Sequence, residues 1–188
     1  MPHTTVKKKL IFVGIIALII LSLDHLTKWF IVHNVALGGH ITVIPHFFDI
    51  IHGRNTGAAF GFLSDWHSPL KNWFFYAVGL VALVFLYYYI KVVAAKDALS
   101  LIALAFILGG ALGNVLDRII RGSVVDFLSL HYYDHVWNPS LFGFNFAIPL
   151  TWPAFNVADA AITTAVVLLV IQSFRATGTT AKNADTKG

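Results

Sequence analysis

Residues 98–127 read ALSLIALAFILGGALGNVLDRIIRGSVVDF. No charge occurs from Ala98 to Leu116, and then Asp117, Arg118, Arg121 and Asp126 arrive in quick succession. A helix rises about 1.5 Å per residue and a bilayer's hydrocarbon core is about 30 Å thick, so about 20 apolar residues are needed to cross it. Lipid offers the backbone no hydrogen-bond partner, so such a run must be helical. The stretch therefore reads as a membrane span that ends at a polar boundary carrying both signs of charge.

Three other segments fit the same template. One covers about residues 10–32 and contains Asp24 and Lys28; another covers about 73–90. The last, about 155–174, holds Asp159, Thr163 and Thr164. With the span at about 98–117 they predict an α-helical integral membrane protein, a four-transmembrane-helix bundle forming a single membrane-embedded domain over residues 1–188. Composition agrees: 57% of the 188 residues are hydrophobic and 12% are charged, against about 25% charged in soluble domains. No small-x-small cleavage site follows the first segment, which reads LSLDH, so it is taken as a retained span.

Four spans put both termini on one side. That side receives Lys7, Lys8, Lys9, Lys91, Lys96, Arg175, Lys182 and Lys187, most of the 13 basic residues. Such a bias marks the cytoplasm. The net charge of +4 thus reflects topology, and nucleic acid is not an expected partner. The opposite face receives connectors at about 33–72 and 118–155, rich in His, Trp, Tyr and Phe. Within the first, residues 38–55 alternate imperfectly and are punctuated by Gly and Pro, which predicts short strands separated by turns. The hydrophilic tail at about 176–188 is predicted to be disordered. The absence of cysteine excludes disulfides, thiolate metal ligands and a catalytic thiol.

Span direction places Asp24, Asp117 and Asp159 toward the outer ends of their helices, with Asp126 close behind Asp117. Ionisable groups at membrane depth are costly and are usually functional. Their local partners separate them. Asp24 has Lys28 at i+4, and Asp117 is followed by Arg118 and by Arg121 at i+4, which suits structural or positioning work. Asp126 and Asp159 have no cation within four residues. Two such carboxylates brought together away from water share one proton. That is the arrangement water-activating peptide hydrolysis uses, and it selects Asp126 and Asp159 as the catalytic pair.

The same residues carry a family resemblance. LDHLTK (23–28), RNTGAAF (54–60), GNVLDR (113–118), VVDF (124–127) and FNVAD (155–159) resemble, in order, the signature blocks of lipoprotein signal peptidase, signal peptidase II. The resemblance implies an intramembrane aspartic endopeptidase of the bacterial inner membrane, with its active site near the outer face and a small extracytoplasmic β-sheet subdomain after the first helix, which suits residues 38–63. It would cut prolipoproteins before a diacylglyceryl-modified cysteine, among membrane lipid, without cofactor or metal, as a monomer, and be inhibited by globomycin-type cyclic peptides. It places the catalytic pair on Asp126 and Asp159, and supporting or ligand-contacting residues on Asp24, Asn55, Asn114, Asp117, Arg118 and Asn156. Two features depart from the pattern: His25 stands where the family commonly has Gln, and residues 127–158 form a longer separation of the two Asp than usual. The aromatic loop from Leu128 to Pro153 is expected to anchor in the headgroup region and to cover the site.

Two rival readings use other features. His131 and His135 in HYYDH would suit a zinc peptidase if they lay one turn apart on a helix, although Asn138-Pro139 argues against a helix there. Membrane carboxylates also relay protons in transporters, but those sit near the midplane of repeated halves, and no repeat is evident here.

Overall fold

The computed structural model describes residues 2–57, 70–94, 97–137, 139–141, 144–145 and 148–185. Four helices form in chain order: α1 Pro2–Asn34, α2 Leu70–Val92, α3 Ala98–Arg121 and α4 Val157–Asp185. Their apolar portions, Val6–Asn34, Leu70–Val92, Ala98–Arg121 and Val157–Arg175, are all long and apolar enough to cross a membrane. The protein is a multi-pass membrane protein. Side chains such as Leu80, Val81 and Phe85 on α2 are 63%, 69% and 70% exposed, which is costly against water and natural against lipid tails.

By internal contacts the chain divides into a spanning unit (Met1–Asp24, Leu70–Leu116, Val157–Gly188) and a sheet unit (His25–Pro69, Asp117–Asn156). In the spanning unit, glycines let α3 pack closely. A Cβ on Gly109 would lie 2.7 Å from the Ala17 carbonyl oxygen, and one on Gly110 would lie 2.5 Å from that of Ala158. Helices in lipid gain little from apolar burial against each other, so close backbone approach at small residues supplies the packing. At one end, Val13, Leu86, Ile90, Leu101, Leu104 and Ala105 form an apolar cluster. There Lys9 donates to the carbonyls of Lys91 (3.0 Å) and Val93 (2.7 Å), supplying a cation to acceptors at the C-terminal end of α2.

The sheet unit holds β1 His40–Ile44, β2 Phe48–Asn55, β3 Val124–Trp137 and β6 Ile148–Thr151 in the order β1-β2-β3-β6, with neighbours antiparallel. A separate short hairpin pairs β4 Ser140–Leu141 with β5 Phe144–Asn145. The expected sheet at 38–63 is present as β1 and β2, and residues 58–63 lie outside the described residues. The register aligns Thr42, Asp49 and Ser129 across three strands, with Ile41, Ile50 and Leu128 as the adjacent row. Successive side chains leave opposite faces of a strand, so the sheet has one polar and one apolar face.

Two expectations are corrected. The connector at 118–155 is not mainly loop: β3 runs through it from Val124 to Trp137 and β6 returns beside it. Val124, Val125 and the alternation Leu128-Ser129-Leu130-His131-Tyr132 favour a strand. The tail expected to be disordered is helical as far as Asp185; it contains no proline to interrupt the backbone ladder.

Candidate active site

Asp126 lies early in β3 and is 5% exposed. Its Oδ1 accepts a hydrogen bond from Asn156 Nδ2 at 2.8 Å, and its Oδ2 accepts one from Asn55 Nδ2 at 3.0 Å. Asn55 ends β2, and its own Oδ1 accepts from the Gly57 backbone N–H at 2.9 Å. That bond commits the amide oxygen and turns the NH2 toward Asp126. Asn156 Nδ2 also reaches the Val125 carbonyl oxygen, at 3.3 Å. Gly53 pairs with Asp126 across the sheet, and a Cβ there would lie 3.2 Å from the Asp126 carbonyl oxygen.

The entry into β3 is set by Asp117. This residue is fully buried near the end of α3, and its Oδ2 accepts the Val125 N–H at 3.0 Å. The same oxygen pairs with Lys28 Nζ, also fully buried, at 3.1 Å, while Oδ1 pairs with Arg121. Asp117 thereby fixes the backbone one residue before Asp126. Buried Arg118 donates to the Gly57 carbonyl and so ties the end of α3 to the turn that orients Asn55.

In the spanning unit, Asp159 sits in the first turn of α4 and is half-buried. Its Oδ1 accepts from Asn114 Nδ2 of α3 at 2.8 Å. Asp24 on α1 is fully buried, and its Oδ1 accepts the Ala158 N–H at 2.9 Å. The first N–H groups of a helix lack partners within it, and the helix dipole favours an anion there. Asp24 therefore fixes the start of α4, one residue before Asp159. Gly113 makes room for it: a Cβ there would lie 2.6 Å from Asp24 Oδ2.

Every residue selected from sequence thus falls into one of two sets. One contains Asp126, Asn55, Asn156, Asp117 and Arg118; the other contains Asp159, Asn114 and Asp24. Reading the sequence alone missed two participants. Lys28 had been matched only to Asp24, its i+4 neighbour, yet it holds Asp117. Gly113 stands in the GNVLDR block with no role of its own in the sequence reading, yet it accommodates the Asp24 carboxylate.

The histidine pair of the zinc reading lies on β3 rather than on a helix. In a strand, residues four apart have Cα atoms roughly 13 Å apart at ~3.3 Å per residue, so the one-turn geometry that reading needs is lost. His131 instead faces Asp49, with Nε2 to Oδ2 at 3.2 Å.

A family model described as signal peptidase (SPase) II matches residues 16–175. The chain belongs to the signal peptidase II family. The match takes in all eight selected residues, and membership makes the chain a peptidase. Two solved structures are similar to it. One, a bacterial membrane enzyme determined by the in meso method at 2.3 Å, is 31% identical, with a TM-score of 0.68 over 88% of this chain and 89% of that one. The other, a bacterial membrane enzyme determined by the same method at 1.9 Å, is 30% identical, with a TM-score of 0.67 over 86% and 91%. Membership in the signal peptidase II family and these likenesses agree with the four spans and the small antiparallel sheet.

Proposed function

We propose that this chain is an aspartic endopeptidase that removes the signal peptide from prolipoproteins by cutting before the diacylglyceryl-modified cysteine, with Asp126 and Asp159 as a proton-sharing pair. The observation that carries this reading is the way the two carboxylates are held. Asparagine amides donate to both, positioning them without adding charge. A separate buried carboxylate fixes the backbone one residue before each.

In this mechanism Asp126 is the ionised member, because amide donors on both of its oxygens call for acceptor lone pairs. It takes a proton from water as the water oxygen attacks the scissile carbonyl carbon. Protonated Asp159 donates to the carbonyl oxygen, which becomes the hydroxyl of a tetrahedral intermediate. The C–N bond then breaks, the proton held on Asp126 passes to the leaving amine of the cysteine, and the intermediate's hydroxyl proton returns to Asp159. The products are the signal peptide's new carboxyl end and the free α-amino group. Asp24, Asn55, Asn114, Asp117, Arg118 and Asn156 hold the pair or contact the substrate.

The basic flanks support an inner-membrane orientation with both termini cytoplasmic and the site near the outer face. Substrate then enters sideways from the bilayer. Its acyl chains contribute binding at about 0.8 kcal/mol per buried methylene, which makes lipidation a strong requirement. The enzyme works as a monomer without metal or cofactor and is inhibited by globomycin-type peptides. The test is incubation of the purified protein in lipid with lipidated and unlipidated forms of one prolipoprotein. Cleavage before the cysteine of the lipidated form alone is expected; cleavage of neither form would overturn the reading.

A further inference from the structure

β2 reaches Asp126 through an irregular stretch. Ile50 pairs with Leu128 and Gly53 with Asp126, so three steps along β2 span two along β3. Ile51 and His52 stand opposite Phe127 alone, and the Phe127 N–H turns away to the Phe155 carbonyl at 3.0 Å. A bulge of this kind interrupts the ladder and leaves its residues without the bonds that fix register. His52 replaces them from the other side. Its N–H donates to the Gly39 carbonyl at 3.1 Å, and its carbonyl accepts the Gly38 N–H at 3.0 Å. Its ring Nδ1 meets the Val35 carbonyl oxygen at 2.8 Å, and the residue is 5% exposed. A carbonyl oxygen only accepts, so Nδ1 carries the hydrogen and donates. Nε2 is buried without a partner among the described residues, which leaves the bond to Val35 to seat the ring.

The acceptor is a helix end. Val35 follows the last residue of α1, and its N–H still closes onto Ile31 at 2.9 Å. The last carbonyls of a helix lack partners within it. The N–H that a further turn would offer Val35 is that of Gly39, and it bonds Ala36 instead, at 2.8 Å. Gly38, at φ 75°, makes the turn that returns the chain to His52. We propose that His52 is a positioning residue for peptide cleavage: seated on the end of α1, it holds the bulge of β2 and so aims the Asn55 amide at Asp126. This inference rests on the cleavage reading above. Gly53, the next residue, pairs with Asp126, and Asn55 donates to Asp126 Oδ2 at 3.0 Å. Lys28, on the same helix, holds the Asp117 carboxylate that fixes Val125 on β3. One helix end thereby sets both strands that meet at Asp126.

The amide nitrogen of Asn falls where Nδ1 stands in His, and that of Gln falls where Nε2 stands. His52→Asn therefore keeps the donor for Val35, His52→Gln misplaces it, and His52→Leu, of similar bulk, lacks it. The full chain in lipid would be assayed with a lipidated prolipoprotein, each rate taken per folded molecule. His52→Gln and His52→Leu should each lower kcat about threefold to tenfold at unchanged KM, the scale of one neutral hydrogen bond. His52→Asn should stay close to the unsubstituted chain. In an Asn55→Ala background, where the amide to be aimed is gone, the same changes should cost little more. Hydrogen exchange at the amides of residues 53–57 should quicken in the Gln and Leu variants and not in the Asn variant, a readout that needs no cleavage. Equal kcat in all three variants, or a loss that repeats in full in the Asn55→Ala background, would overturn the proposal. Near-normal turnover in Asp126→Asn would instead overturn the cleavage reading beneath it, and the exchange comparison would still decide whether His52 holds β2.

Discussion

Asp126 and Asp159 are held by similar parts in dissimilar surroundings. Asp126 is buried at the start of a strand, with an asparagine amide on each oxygen, and a Lys–Asp–Arg cluster fixes the residue before it. Asp159 is half-buried on the first turn of a helix, with one asparagine on Oδ1, and the residue before it is fixed by a carboxylate seated against a glycine. A strand cannot anchor its own first residues, so the sheet side recruits a buried ion pair from two helices. A helix start already presents unpaired N–H groups, so one carboxylate suffices on the spanning side. In the mechanism proposed above, this difference underlies the ionised role of one residue and the protonated role of the other.

The largest expected effect breaks the sheet side. Asp117→Ala leaves Lys28 buried without this partner and the Val125 N–H without its acceptor. Loss of one member of a buried pair costs about 3–5 kcal/mol, so the folded fraction in a denaturant titration should fall sharply. The matching change on the spanning side, Asp24→Ala, removes one helix-start bond worth about 0.5–2 kcal/mol. Equal losses for the two variants would contradict the contrast drawn here.

The asparagines come next. A hydrogen bond to a charged group contributes about 1.5–3 kcal/mol, roughly tenfold to a hundredfold in rate. Asn156→Ala and Asn55→Ala should each lower kcat within that range at unchanged folded yield. Asn114→Ala should cost less, since in the proposed mechanism it serves the protonated partner. A larger loss for Asn114→Ala would reverse the role assignment.

Packing gives a smaller effect. Gly110→Ala drives a methyl against the Ala158 backbone oxygen at 2.5 Å, whereas Gly14 has nothing within 4 Å of its built Cβ. Overpacking costs typically about 1–3 kcal/mol, so Gly110→Ala should lower the melting temperature while Gly14→Ala leaves it nearly unchanged. The smallest effect belongs to His131→Ala. Its partly exposed pair with Asp49 contributes under about 1 kcal/mol, and turnover should hold both in the variant and after chelator treatment. Lost activity restored by zinc would revive the metal reading.

Much of this was legible in the sequence. Uninterrupted apolar runs disclosed the four spans, since length and absence of charge are local properties. The Asp and Asn positions stood out because polar groups are conspicuous at the ends of such runs. What was not legible depends on partners distant in sequence. Lys28 looks like the i+4 mate of Asp24, and only the fold brings Asp117 to it. The period-two pattern from Leu128 to Tyr132 was present, but it sits among aromatic residues that suit a membrane-interface loop equally well. Its pairing with β2, Asp49 against Ser129, closes a distance that no local pattern reports.

The central claim is that Asp126 and Asp159 act as one unit, and single-turnover cleavage of a lipidated prolipoprotein tests it most directly. Asp126→Asn, Asp159→Asn and the double variant would be compared in lipid, each checked for folded yield. Residues that act together show strongly non-additive losses. Each single variant should therefore lose nearly all cleavage, and the residual rate of the double variant should be no lower than that of either single. Near-normal turnover in either single variant, or losses that multiply in the double, would contradict the account.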